Sequence, residues 1–502
     1  MTCFIRNLTL GVSTIAMAST AFAQDIVQQS ADSYYTAAQA ELARKIADQP
    51  NVGRAKNVVL FVVDGLSIPT ITASRIFEGQ SRGVDGESNV LSFEALLPYT
   101  ALSKTYTHDA QVADSAPTAT AIVAGVKSLN GTIGVTQNTT LENCASQKGN
   151  EVTTLFELAE EAGLSTGIIS TARITHATPA ATYAKVAGRD WEADKDLSDE
   201  AKANGCKDIA AQLIDWPAGN GFEVVMGGGR GNFMTAEQKD PEDETKTGSR
   251  TDGRDLIAEW QQKNNDGAYV WNKEGFDAID PATTGKLFGL FNRSHMQYEA
   301  DREKDAGGEP SLAEMATKSI DLLSKNEDGF VLMVEGGRVD HANHAGNAAR
   351  ALTDTVAVAE AVKAVYEKVD PSETLIILTA DHSHVLSIAG YPTRNNPILG
   401  IAGVADDGKP YATLGYQNGP GAKLDEPRAD LTGVDTTDID FLQQALVPLG
   451  ESKTHAGDDV AIFAQGPWAH LFHGVVEQNL VYHVMEHATG LADRAALARA
   501  SK

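Results

Sequence analysis

Residues 58–65 read VVLFVVDG, residues 330–336 read FVLMVEG and residues 375–382 read LIILTADH. Each is a run of aliphatic, Phe or Met residues with no polar alternation, the pattern of a strand buried on both faces of a parallel sheet. Each then meets an acid: Asp64, Glu335 and Asp381. Gly167 to Ser170 and Glu223 to Met226 are further short runs of this kind, and helix-like segments (Val152 to Ala162, Ser311 to Ser324, Ala348 to Val369) lie between the runs. The alternation predicts an α/β fold: an open, mostly parallel central sheet with helices on both faces. In such sheets ligands bind beyond the carboxyl ends of the strands, where these three acids would converge. A single acid after a strand can be a helix cap or a turn residue. Three in one chain, one of them followed directly by His382, are harder to read that way.

Glu335 also opens the densest chemical cluster, VEGGRVDHANHAGN at residues 334–347. On a helical turn Asp340 and His344 share a face and can bind one cation, while His341 points elsewhere. Carboxylate with imidazole suits zinc, and two protein ligands need at least one more from afar, with His382 and His455 as candidates. The plain alternative is a solvated His/Asp helix face. A second feature is DSAPTATA, Asp114 to Ala121, where a small-residue helix is expected to begin just after Ser115. Its N-terminus would present unpaired N–H groups and a partial positive charge to a phosphate on or beside Ser115. Alone, Asp-Ser before Pro reads as an N-cap with Pro in the first turn. A serine needs a base or a metal to become a nucleophile, and no conventional base motif lies near Ser115. Two metals, one activating the serine and one holding the leaving oxygen, would suit phosphoryl transfer.

The chain has 502 residues, and 41 Lys+Arg against 68 Asp+Glu give a net charge of -27, which excludes a general nucleic-acid binder because an acidic field repels polyphosphate. Hydrophobic residues at 42% and charged residues at 22% fit a soluble globular protein. Arg6, the apolar stretch Leu8 to Ala18 and then Ala21-Phe22-Ala23 form the three parts of a signal peptide, so residues 1–23 are expected to be removed and 24–502 to form the mature chain. No later segment has the roughly twenty apolar residues a membrane span needs, and the C-terminus lacks a lipid-anchor tail. Export to the periplasm or the medium without an anchor follows. Cys3 leaves with the signal, so Cys144 and Cys206 remain to pair in an oxidising compartment; two buried free thiols are the alternative. Residues 240–253 and 390–450 read as loops or insertions, the latter a small subdomain.

Taken together, the motifs resemble the alkaline phosphatase family over nearly all of the mature chain. Val62-Val63-Asp64-Gly65, the Asp114 to Ala121 run, Thr175-His176-Ala177-Thr178-Pro179-Ala180, residues 334–347, Thr379-Ala380-Asp381-His382 and Thr454 to Val460 follow the family's order. Tyr269 to Asn272, Gly415 to Gly421 and Gly466 to Gly474 look closer to the animal-type branch. The resemblance implies two zinc ions and one magnesium. Asp340, His344 and His455 would hold the first zinc, and Asp64, Ser115, Asp381 and His382 the second. Asp64 would bridge to magnesium with Thr178 and Glu335, oxygen donors such as a hard ion prefers. His176 and His341 would orient metal waters and phosphate without binding metal directly. Arg189 matches the family arginine that grips two phosphate oxygens, and Ser115 the nucleophile that carries the phosphoryl group before water releases it.

The same resemblance implies a homodimer, with the segment around Ser33 to Asp48 and a crown-like 390–450 subdomain as candidate contacts. It also matches Cys144 and Cys206 to an animal-type disulfide, and implies broad specificity for small phosphate monoesters, with inorganic phosphate released. Leu66-Ser67 replaces the family's usual continuation after Gly65, Pro117 replaces a small residue, and a His in Phe291 to Met296 stands in place of a calcium-site carboxylate, so no calcium is expected there. Related phosphodiesterases, sulfatases and phosphoglycerate mutases share the metal core with a different nucleophile or without the third metal. Ser115 with Arg189, Thr178 and Glu335 favours a monoesterase. Outside the enzyme class, an exported phosphate-binding protein would have no need of Ser115.

Overall fold

From Asn57 onward ten strands assemble into one sheet, and their order explains where the acids go. In chain order they are β1 (Asn57–Val62), β2 (Tyr99–Lys104), β3 (Ser165–Arg173), β4 (Val224–Gly228), β5 (Gly267–Val270), β6 (Lys286–Asn292), β7 (Phe330–Glu335), β8 (Thr374–Thr379), β9 (Val460–Gln465) and β10 (Val475–Glu477). Across the sheet they run β10-β2-β9-β8-β1-β7-β3-β4-β6-β5. Only β9 runs against its neighbours; the other pairings are parallel. The computed structural model describes residues 28–422, 427–450 and 452–501; the expected signal peptide, residues 1–23, lies outside them.

The five runs read as strands in the sequence are the five contiguous central strands β8, β1, β7, β3 and β4. Their apolar character follows from packing on both faces. Val58, Leu60 and Val62 of β1 join one core layer, with Ala119, Ile122, Val123, Leu155 and Phe156 from the covering helices. Val59, Phe61 and Val63 join the opposite layer, with Ile320, Leu323, Val358, Val362 and Val365. Each such fully buried aliphatic or Phe side chain contributes about 1.5–3 kcal/mol. The covering helices begin where capping chemistry dictates. Thr154 and Glu157 form a capping box at Leu155–Glu161, Ser311 and Glu314 another at Leu312–Leu323, and Asn347 accepts from Arg350 N at the start of Ala348–Lys368.

The strands absent from the sequence reading lack a clean apolar run. β2, YTALSK, alternates between exposed and buried positions, and β6, KLFGLFN, is interrupted by Gly289 and starts on a lysine. The described residues of the 390–450 stretch contribute no strand to the main sheet. Leu386–Ile388, Leu414–Asn418 and Ala445–Val447 form a three-stranded sheet, and Ile401–Val404 pairs with Pro410–Ala412. Cys144 and Cys206, 62 residues apart, are joined in a disulfide. The described residues before Asn51 form a unit of their own. Its helix Ser33–Ala47 is capped by Asp32 and buries none of its residues.

Candidate active site

The parallel register carries the strand-end acids to one place. Val62 of β1 lies opposite both Glu335 of β7 and Thr379 of β8, so Asp64, Glu335 and Asp381 emerge side by side at the carboxyl ends. All three are fully buried. The turn after β1 holds despite Leu66-Ser67: Gly65 takes a positive φ of 68°, its N–H donates to Asp381 Oδ1 at 3.0 Å, and Ser67 caps the helix Ile68–Ser81. A Cβ on Gly65 would come within 2.9 Å of Asp340 Oδ1, so the close approach of those two segments needs glycine.

The helix Ser115–Ala124 starts on the serine, with Asp114 as N-cap accepting from Ala116 N at 2.7 Å. Pro117 is accommodated because the amides of a first helical turn have no intrahelical acceptor to lose. Ser115 Oγ lies 3.2 Å from His382 Nε2 and 3.4 Å from Asp64 Oδ1. His382 Nε2 is 3.2 Å from Asp381 Oδ2 and 3.4 Å from Asp64 Oδ1, so Asp64, Ser115, Asp381 and His382 converge.

The helix Arg338–Ala345 places Asp340 and His344 on one face, 3.3 Å apart. His455 joins them through a two-residue strand, His455–Ala456, antiparallel to Ser383–His384 with His455 opposite His384. His344 Nδ1 donates to Lys453 O at 2.5 Å and His455 Nδ1 donates to Ala113 O at 2.8 Å. Those bonds fix both tautomers, so the two Nε2 lone pairs face one another at 3.0 Å. Two lone pairs so placed repel unless a positive charge lies between them, and Asp340 completes the N, N, O donor set that suits zinc.

Asp64, Glu335 and His176 form a further group that could hold a cation, as do Asp64, Asp340 and His382. Thr178 is fully buried on the short helix Ala177–Ala180, which follows His176. Buried atoms without a hydrogen-bond partner concentrate here: Thr178 Oγ1, Glu335 Oε1, Asp340 Oδ1, Asp381 Oδ2 and His176 Nδ1. Burial, reinforced by the neighbouring carboxylates, pushes Asp64 and Asp381 upward and Glu335 up to about 8. Burial would raise Asp340 as well, but His384, His344 and His455 around it hold it well below the carboxylate range. Four buried acids and orphaned donor atoms are the chemistry of a polynuclear cation site, and the residues fit one.

Arg189 reaches the same place from a loop. Its Nη1 pairs with Asp114 at 3.1 Å and its Nη2 donates to His176 Nε2 at 3.1 Å. His341 stays outside the cation groups: its Nδ1 accepts from Arg338 at 3.1 Å, and its ring packs 5.5 Å from His176. His295, in the stretch read as lacking a calcium carboxylate, lies 4.1 Å from the His341 ring. Burial, first of all, holds His176 and His382 well below the usual imidazole range and lowers His341 to about 3.

Two contributors escaped the sequence reading. His384 is fully buried with Nε2 3.4 Å from Asp340 Oδ1, and its Nδ1 accepts from Val385 N, so Nε2 carries the proton and lies within electrostatic reach of the carboxylate, outside hydrogen-bond geometry. Strand alternation at Asp381-His382-Ser383-His384 places it on the His382 side, a signal that was available. Asp114 binds Arg189 as well as capping the helix, a second role that local sequence does not show.

A family model for alkaline phosphatase matches residues 55–491. The chain belongs to the alkaline phosphatase family. It is 43% identical over 447 residues to an alkaline phosphatase of Gadus morhua, covering 87% of this chain and 92% of that one. It is 42% identical to the Homo sapiens tissue-nonspecific isozyme, over 87% of this chain and 84% of the relative. Its fold matches the crystal structure of Thermus thermophilus alkaline phosphatase with a TM-score of 0.63 at 24% identity, over 90% and 97% of the two chains. As a member of this family the chain is an enzyme with phosphomonoesterase activity, and groups of its side chains could hold metal ions.

Proposed function

We propose that the chain hydrolyses a broad range of phosphate monoesters through a phosphoserine on Ser115. The observation that carries this is Ser115 Oγ at a helix N-terminus, in contact with His382 and Asp64, with the Arg189 guanidinium held by the adjacent Asp114 and by His176. Asp340, His344 and His455 would hold one zinc, Asp64, Ser115, Asp381 and His382 a second, and Asp64, Thr178 and Glu335 a magnesium. Bound there, the ions would supply the positive charge that lowers the serine pKa and stabilises the departing oxygen.

Arg189 would take two non-bridging oxygens of the phosphate with its planar fork, and His176 and Asp114 keep that fork aimed. Ser115 Oγ forms a bond to phosphorus as the ester oxygen leaves as alcohol. Water then breaks the Oγ–P bond, returning the hydroxyl and releasing inorganic phosphate. Only the phosphate is gripped in this arrangement, which supports breadth in the alcohol. The orphaned donor atoms and the facing imidazole lone pairs support two zinc ions and one magnesium.

We further infer that residues 24–502 form the mature catalytic chain, exported to the periplasm or the medium. The 1–23 sequence and the Cys144–Cys206 disulfide support this, and no helix among the described residues is long and apolar enough to cross a membrane. A homodimer is supported by the exposure of Tyr34, Leu42 and Ile46 on the helix Ser33–Ala47 and of Leu446, Val447 and Leu449 in the 390–450 region. Light scattering giving a monomer mass at micromolar protein would contradict it.

The deciding experiment is hydrolysis of 4-nitrophenyl phosphate by the purified mature chain at alkaline pH, before and after chelation, beside Ser115→Ala. Turnover that chelation abolishes, that zinc with magnesium restores and that Ser115→Ala lacks is the expected result. A Ser115→Ala variant matching wild type would remove the serine from the mechanism.

A further inference from the structure

Lys453 is 1% exposed, and its Nζ is buried without a hydrogen-bond partner. The ammonium lies over the Tyr416 ring, 4.6 Å from its centroid, and no described carboxylate forms an ion pair with it. In a chain with 68 acids, a buried cation without one among the described residues is a feature of this place and not of composition. Two more unpartnered atoms lie in the surroundings. Asn343 is fully buried; its Oδ1 accepts the Tyr416 hydroxyl at 2.8 Å, which fixes the amide and leaves the Nδ2 donor without a partner. Gln443, also 1% exposed, has an unpartnered Oε1, and turning its amide over presents a donor in the same position. Its own N–H donates to Gly346 O at 2.9 Å, which ties it to the same turn.

The lysine is seated by two glycines. A Cβ on Gly346 would lie 2.2 Å from Lys453 Cε, and one on Gly419 would lie 2.4 Å from Cγ. Both glycines also hold positive φ, so the backbone at each side admits no other residue without strain. The result is an enclosed ammonium that lies over an aromatic face and has no carboxylate partner among the described residues. Burial of a charge in that state is costly unless a counter-charge joins it.

We propose that Lys453 Nζ and Asn343 Nδ2 form a buried binding site for one small monovalent anion of halide size. The site lies behind the candidate metal centre: Lys453 N donates to His344 O at 3.0 Å, and Lys453 O accepts from His344 Nδ1. An anion on Nζ therefore pins the segment that carries both His344 and His455, and its binding stabilises the folded chain by mass action. The site lies apart from Ser115, and anion binding there is measurable without substrate.

The test is thermal unfolding of the full mature chain across a chloride series, and a parallel bromide series, with ionic strength held constant by gluconate, which is too large to enter. Wild type is expected to gain Tm along a saturable single-site curve in both halides. Lys453→Met, and Lys453→Gln should the first not fold, is expected to show no halide dependence beyond that of gluconate. Crystals grown in bromide are expected to show an anomalous peak within about 3.5 Å of Lys453 Nζ. Equal Tm in halide and gluconate, an ordered water in place of the peak, or an unchanged halide response in the Lys453 variants would each overturn the proposal.

Discussion

Replacing Arg189 with lysine separates what the charge does from what the planar fork does. The guanidinium is held at two points, Nη1 on Asp114 and Nη2 on His176, each at 3.1 Å, so its orientation is set before substrate arrives. Lysine keeps the charge but cannot satisfy both neighbours and also grip two phosphate oxygens. At least one charge-assisted hydrogen bond to phosphate is lost, about 1.5–3 kcal/mol, which converts to roughly a 10- to 150-fold fall in kcat/KM. Steady-state hydrolysis of 4-nitrophenyl phosphate, with the inhibition constant of inorganic phosphate measured alongside, reads this directly. Both KM and the phosphate inhibition constant are expected to rise while Tm moves little, since the helix cap at Asp114 still accepts from Ala116 N. Kinetics within about threefold of wild type, or a collapse in Tm that accounts for the loss, would refute the reasoning from the fork.

Removing the disulfide as Cys144→Ala with Cys206→Ala opens a loop spanning a 62-residue separation, which the chain-entropy model equates to about 4 kcal/mol of stability. Denaturant unfolding should show it, and a change under about 1 kcal/mol would mean the unfolded chain stays compact there. His384→Ala removes the imidazole that lies 3.4 Å from Asp340 Oδ1, so zinc affinity by chelator competition is expected to fall about 10- to 100-fold, while an unchanged affinity would leave His384 a packing residue. Burial, with Glu223 nearby, raises Glu160 from 4.5 to about 7. Its protonated form therefore stabilises the fold fully below about pH 4.5, and that contribution, on the order of 3 kcal/mol, is lost as pH rises through 7. Glu160→Gln keeps an acceptor for Thr166 and should flatten the fall of Tm between about pH 4.5 and 7; parallel curves for the two proteins would count against it.

The central strands β8, β1, β7, β3 and β4 were legible because strands buried on both faces must be apolar at every position, and that leaves an unbroken run in the sequence. The outer strand β2 alternates, and Gly289 and Lys286 break up β6, so neither shows such a run. Asp64, Glu335 and Asp381 were legible as a converging set because parallel strands share a carboxyl end, and Asp340 with His344 because a helix repeats near four residues. Sequence spacing could not choose between His382 and His455 as the neighbour of Asp340 and His344. The pairing of His455–Ala456 with Ser383–His384, more than 70 residues away, sets His455 beside them, whereas Ser115 and Asp64 are the groups in contact with His382. Likewise the second role of Asp114, the approach of His384 to Asp340 and the isolation of Lys453 depend on which segments pack together. Local pattern determines what each segment can form and what chemistry it carries. Burial and long-range register decide which groups meet, because hydrogen bonds and charges between distant segments leave no trace in the spacing of either one.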